Sequence, residues 1–380
     1  MAGGSGTATW PANSWRDPDH FCSADAVNDG VLTGADLARR FHADVVAPLL
    51  AHAMPGLRYA AGRLGSGSDV LGLDDAMSRD HDWGCRLTLL VDEADGQAVP
   101  RISELLERKL PESYRGYPVR FPVTWDRSLS HKVEVATVSG FATSRLGADP
   151  TGELSARDWL VLTGQSVLEV TAGPVFTDLT AGLAPARTTL RWYPPDIERY
   201  VLAAAWRRLA AEMPMVGRTA ERGDEPGSRL LSARLAGDLM WLAFALARRW
   251  PPYPKWRGTA FQALDVAADL GGPLAAAATA PAWRARENGL AEACEVLLSA
   301  QRARGLPAPA AAVLTFWNRP YRTVDDAVEH ALVAGITDPD VIALPLIGSI
   351  EQWVTSVDIL TSPARRAALK AAYQARASSG

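Results

Sequence analysis

The chain has 380 residues, with 39 Lys plus Arg against 43 Asp plus Glu and a formal net charge of −4. Apolar residues at 48% and charged residues at 22% describe an ordinary globular chain and exclude a disordered tail. The slightly acidic balance disfavours a protein that lives on nucleic-acid backbone, where a basic face supplies most of the affinity.

At roughly 100–200 residues per domain the length suggests two domains. Residues 1–30 read as a flexible lead-in. The opening MAGGSGTATWPANSW has no basic stretch followed by an apolar one, so no secretory signal is expected. No run reaches the roughly 18 consecutive apolar residues of a membrane span. Cys22, Cys85 and Cys294 are far apart and form no CxxC, which excludes a readable disulfide framework or zinc knuckle. A cytoplasmic location is expected from this cysteine usage.

From 31 to 185, short β-rich runs alternate with helical stretches. From 186 to 380, alanine- and leucine-rich amphipathic segments dominate, so a helical domain is expected there. Leu37, Phe41, Val45 and Leu49 recur at helical spacing and predict a helix over 34–53. Residues 65–75 form a Gly/Ser/Asp loop. A buried strand is predicted over 82–91, a helix over 99–110 closed by Pro111, and two strands over 117–124 and 131–138. Helices are then expected near 196–213, 227–249, 259–270, 282–304, 324–334, 346–361 and 364–374. Prolines at 194, 195, 251, 252, 254 and 363 punctuate them. Arg365, Arg366 and Lys370 of the last helix read as a solvated face.

The chemistry concentrates in residues 63–91, RLGSGSDVLGLDDAMSRDHDWGCRLTLLV. Asp80 and Asp82 stand at the mouth of the apolar strand. Alternate strand residues share a face, with Cα atoms about 6–7 Å apart, so the two carboxylates can converge on hard cations. Mg²⁺ favours a few carboxylates together with substrate phosphates. Gly65 and Gly67 let backbone N–H groups approach a triphosphate, and the Ser66 or Ser68 hydroxyl can donate to it. A third acid comes from HKVEVATV: Glu134 lies mid-strand between two valines, where a carboxylate is costly unless metal-bound, hydrogen-bonded or at a cleft.

Glu169, in LEVT, has nearly the same neighbours, but the strand order favours Glu134. Asp69, Asp74 and Asp75 read as turn formers and helix caps. His81 alternates away from the aspartates. Trp83 and Trp256 are candidates to line a base or acceptor pocket.

The Gly-Ser loop, the Asp-x-Asp and the later acid together resemble the polymerase-β-type nucleotidyltransferase superfamily. The Val-Glu-Val strand is similar to the one carrying the catalytic-base glutamate of aminoglycoside adenylyltransferases that act on streptomycin and spectinomycin. More closely, DHDWG, VEVATV, TAGPVF, RWYPPD and PKWRGTAF resemble the domain-of-unknown-function 4037 family over roughly residues 55–265. The chain departs from the superfamily at His81, where an apolar residue is usual, and in offering two Gly-Ser pairs.

The resemblance implies an α+β protein, with an N-terminal nucleotidyltransferase fold (a mixed sheet with helices) over 31–185 and an all-helical domain over 186–380. It implies Lys255, in PKWRGTAF, as a phosphate-contacting lysine. It implies transfer of a nucleoside monophosphate, AMP from ATP, to a small-molecule acceptor with release of pyrophosphate. Asp80, Asp82 and Glu134 would hold two Mg²⁺ ions, with Glu134 completing the second metal site or taking the acceptor's proton. Gly65, Ser66, Gly67, Ser68 and Lys255 would hold the nucleotide. The alternatives are a nucleotide-binding sensor on the same fold, or a nucleotidyltransferase acting on RNA or protein. A membrane partner is not expected, and the sequence leaves the oligomeric state open.

Overall fold

The computed structural model describes residues 32–75, 83–123 and 126–374. Asp80, His81 and Asp82 lie outside these residues.

The chain enters through α1 (Gly34–Phe41), a π-helical turn (His42–Val46) and α2 (Ala47–Ala53). The helix predicted over 34–53 is therefore continuous but widened in the middle. Pro48 has no N–H to give the carbonyl four residues back, and the Ala47 N–H bonds to the His42 carbonyl instead. Thr33 caps α1 by accepting from the Asp36 N–H at 3.0 Å. Asp74 adds a second cap, its Oδ2 accepting from the Gly34 N–H at 2.7 Å.

The sheet elements follow: β1 (Ala60–Gly62), β2 (Arg86–Val91), α3 (Ala98–Lys109), β3 (Ser113–Tyr114), β4 (Tyr117–Pro118), β5 (Arg120–Val123), β6 (Asp126–Thr137), α4 (Val138–Leu146), α5 (Ala156–Val161), α6 (Gly164–Thr171) and β7 (Val175–Asp178). Five strands form one mixed sheet in the order β5-β6-β2-β1-β7. Only β2 and β6 run parallel, and α3 lies on the long crossover that such a pair requires. Strand alternation divides the sheet. Leu87, Leu89, Val91 and Val133 pack into a core with Leu37 and Phe41 of α1 and Ile102 of α3. Arg86, Thr88 and Leu90 take the other face, as do their register partners Lys132, Glu134 and Ala136.

Helices α7 (Leu183–Thr189), α8 (Pro195–Ala220), α9 (Glu225–Leu246), α10 (Pro254–Phe261), α11 (Ala267–Thr279) and α12 (Trp283–Ala303) build the second half. A hairpin of β8 (Val313–Thr315) and β9 (Arg322–Val324) interrupts it, so this half is not all helix. Each of its strands is three residues long, too short for alternation to mark. Short helices α13 (Asp326–Val333), α14 (Pro339–Ile342), α15 (Ile350–Trp353), α16 (Val357–Leu360) and α17 (Pro363–Ala368) and a 3₁₀ turn (Leu369–Tyr373) complete the described chain. Among the described residues no helix is long and apolar enough to cross a membrane.

The architecture is α+β, a mixed sheet with helices followed by a mostly helical half. The larger core runs without interruption from Leu64 and Leu90 through Phe141 and Trp159 to Trp206, Leu242 and Leu298. It therefore spans residue 185 and ties the halves together. The last elements return to the first half. Arg366, 1% exposed, donates to the Arg145 and Leu146 carbonyls at the end of α4, at 2.6 and 3.2 Å. Lys370 pairs with Asp158 at 2.5 Å. The solvated face expected for this segment is corrected at both residues. A guanidinium suits the unpaired carbonyls of a helix C-terminus.

Candidate functional site

The Gly-Ser loop is fixed from behind by one buried ion pair. Arg63 leaves the end of β1 and grips Asp69 through Nε–Oδ2 at 2.6 Å and Nη2–Oδ1 at 2.8 Å. It also donates to the Leu64 and Ser66 carbonyls at 2.7 and 2.8 Å. The loop thus folds around a guanidinium. At Gly67, φ is +141°, and a Cβ there would stand 2.2 Å from Asp69 Oδ1 and 2.5 Å from Arg63 Nη2. Only glycine fits. Asp69 is accordingly a brace for the loop.

Across the loop stands the proline-rich turn before α10. Gly164 opens α6 against Pro251, whose carbonyl would lie 2.1 Å from any Cβ at that position. Gln165 Oε1 accepts from the Tyr253 N–H at 3.3 Å. Pro254 then starts α10, a residue suited to the first helical turn. Lys255 therefore sits inside the first turn of this helix, earlier than the start near Thr259 that the sequence suggested. Its Nζ lies 4.8 Å from the centre of the Trp256 ring.

Between loop and turn is a cavity of about 290 Å³, walled by Ser66, Gly67 and Ser68 on one side and by Lys255 and Trp256 on the other. Trp83 and Arg86 line it from the mouth of β2, and Gln165 and Glu169 from α6. The structure thus brings together four of the residues expected to hold nucleotide, and both candidate tryptophans. Gly65 is placed differently. Its φ is +87°, and its N–H is committed to the Glu169 carbonyl at 2.7 Å.

Glu134 lies on the sheet face that carries Thr88, its register partner on β2. Thr88 donates to the Leu64 carbonyl at 3.3 Å, just before the Gly-Ser loop. The Glu134 carboxylate is 41% exposed and does not line the cavity. Arg145 Nη2 donates to both of its oxygens, at 2.8 and 2.6 Å. The Nε of the same arginine lies 3.4 Å from Glu169 Oε2. One guanidinium therefore links the strand acid to the helix acid.

Like Asp69, Glu169 lines the cavity. Its side chain is 18% exposed and accepts from Gln165 Nε2 at 3.2 Å. Burial pushes its carboxyl above the ordinary range, against the opposing pull of Gln165 and Arg145. The signal that could have placed it is the Thr163–Ser166 capping box, which starts a helix with Gln165 and Glu169 one turn apart. Among the described residues no group of three His, Cys, Asp or Glu side chains forms a metal centre. Of the three acids expected to bind Mg²⁺, only Glu134 is among the described residues, and its carboxylate is engaged by Arg145.

A family model described as "Domain of unknown function (DUF4037)" matches residues 159–257, the stretch from α5 to α10 that carries Glu169 and Lys255. Among solved structures, a nucleotidyltransferase-like protein from Exiguobacterium sibiricum 255-15 is similar at 11% identity and a TM-score of 0.31. The match covers 69% of this chain and 74% of that one. No curated protein matches the sequence.

Proposed function

We propose that the chain is a nucleotidyltransferase that moves a nucleoside monophosphate, AMP from ATP, to a hydroxyl of a small-molecule acceptor and releases pyrophosphate. One observation carries this reading: the Gly-Ser loop and Lys255, remote in sequence, line a single cavity together with two tryptophans. Such a cavity offers what a triphosphate needs. The Gly67 backbone and the Ser66 and Ser68 hydroxyls supply donors, and Lys255 supplies a cation at a helix N-terminus that itself favours anions. Trp83 and Trp256 supply flat apolar surface for a base. In this class of reaction, positioning and electrostatics do most of the work.

The proposal includes two Mg²⁺ ions on Asp80, Asp82 and Glu134, with neutralisation of phosphate charge as their contribution. Glu134 serves the metal or the acceptor's proton after Arg145 lets go of it. The engagement of Glu134 by Arg145 favours a second reading, a nucleotide sensor without turnover. The domains proposed are 31–185 and 186–380, and the proposed location is the cytoplasm.

Pyrophosphate release from each NTP with Mg²⁺, across a panel of hydroxylated metabolites, tests the reading. ATP-dependent release that is abolished in Asp82→Asn and weakened in Lys255→Ala is the expected result. Tight ATP binding with no turnover on any acceptor selects the sensor. Turnover that survives Asp82→Asn overturns the metal assignment.

A further inference from the structure

Behind the nucleotide cavity lies a second, smaller chamber of about 130 Å³. The two share Gln165, Glu169 and Thr361. Glu169 therefore stands in the partition, with one cavity on either side. The far walls of the chamber are Ser144 and Arg145 of α4, and Leu360 and Arg366 from the returning C-terminal segment.

The polar groups around this chamber are unevenly satisfied. Ser166 is fully used, exchanging hydrogen bonds with Thr163. Gln165 donates to Glu169 and accepts from Tyr253. Thr361 spends its proton on the Val357 carbonyl. Arg366, although 1% exposed, has an Nε–H with no acceptor, whereas the Arg145 Nε is held 3.4 Å from Glu169 Oε2. A buried donor left unmade is costly, and the Arg366 Nε–H beside this chamber is suited to an oxygen atom from a ligand.

The charges narrow the ligand further. Arg145 is balanced by Glu134 and Glu169, and the charges of Glu169 and Glu351 act on Arg366. A carboxylate or phosphate entering the chamber meets Glu169, and an amine meets two guanidiniums. A hydroxyl satisfies both, because it accepts from an arginine N–H and donates to a carboxylate.

We propose that this chamber is the acceptor subsite and that it takes a neutral polyhydroxylated group, a sugar-like ring or a polyol, whose hydroxyls bridge the arginines and Glu169. This rests on the nucleotidyltransferase reading. Glu169 acts as a positioning residue: it orients the acceptor at the partition, on the far side of which the triphosphate is proposed to lie. In the transfer itself an acceptor oxygen bonds to the α-phosphorus, the bond from that phosphorus to the bridging oxygen breaks, and pyrophosphate leaves with the electron pair. The acceptor proton passes to Glu134, as already proposed.

The test uses the full chain and three probes, D-glucose, myo-inositol and ribitol, followed by saturation-transfer NMR. Acetate and methylamine serve as charged controls, and MgATP binding is measured in parallel. Arg366→Ala risks unfolding, so the informative variant is Ser144→Trp, which projects a ring into the chamber from an exposed position on the wall away from the nucleotide. At least one neutral probe binds the wild type, and Ser144→Trp weakens it at least tenfold while MgATP binding stays intact. The subsite is overturned if none of the three binds, if binding ignores Ser144→Trp, or if acetate or methylamine displaces the polyol. Polyol binding without any MgATP binding overturns the nucleotide reading, and the acceptor role with it.

Discussion

Arg63 and Asp69 are joined by two hydrogen bonds, at 2.6 and 2.8 Å, and both side chains are almost wholly buried. They are six residues apart, and the loop between them is the one that lines the proposed nucleotide cavity. Removing one member leaves a buried charge without its partner, which costs about 3–5 kcal/mol. Asp69→Ala is expected to lower thermal stability by that order, read from urea or heat melts, and to weaken ATP binding as the loop relaxes. A variant as stable as the wild type contradicts the bracing role.

Lys255 offers the opposite profile. It is exposed, so Lys255→Ala should leave stability within about 0.5 kcal/mol of the wild type. A charged hydrogen bond to phosphate contributes about 1.5–3 kcal/mol, so ATP affinity should fall about tenfold to a hundredfold. Calorimetric titration of ATP and of adenosine separates the effects. ATP weakens, and adenosine, which has no phosphates, does not.

Trp256 tests the base wall. Stacking on an aromatic ring contributes about 1–3 kcal/mol per base. Trp256→Ala should therefore weaken adenosine and ATP alike, unlike Lys255→Ala. Equal affinities for adenosine in wild type and variant remove Trp256 from the base pocket.

Glu198 is one source of pH-dependent stability in the helical half. It is 2% exposed and receives Arg248 through two hydrogen bonds, Arg304 at 2.7 Å and Trp192 Nε1 at 2.8 Å. Burial raises its pKa, but the two arginines outweigh burial and hold the carboxyl below its ordinary range. Such a group binds its proton more weakly folded than unfolded. Its stabilisation is complete above the ordinary Glu range, near pH 4.3, and is lost as pH falls through the lower folded value. The stability difference between wild type and Glu198→Gln should be constant near pH 7 and shrink below about pH 4. A constant difference down to pH 3 contradicts this account.

The parts of the site that were legible in sequence are those written by local chemistry. Two Gly-Ser pairs announce a loop where backbone must approach something closely, and Ser66, Gly67 and Ser68 do line the cavity. The proline-rich turn marks the place where a helix starts, and Lys255 lies just inside it. Glu169 was set aside because the strand order favours Glu134, yet the cap at Thr163 puts Glu169 on a helix that lines the cavity. Strands β1 and β7 were not foreseen, since three or four residues are too few to show alternation. Arg366 looked like a surface cation because its partners are backbone carbonyls from α4, and a carbonyl leaves no mark in the residue alphabet.

The return of Leu360, Thr361 and Arg366 to the first half also sets a schedule for the growing polypeptide. A ribosome that has made 350 residues has already released the sheet, the Gly-Ser loop and Lys255, but not the segment that forms the rear wall of both cavities. Nascent protein at that stage lacks Thr361, which lines both cavities, and the guanidinium that donates to the end of the fourth helix.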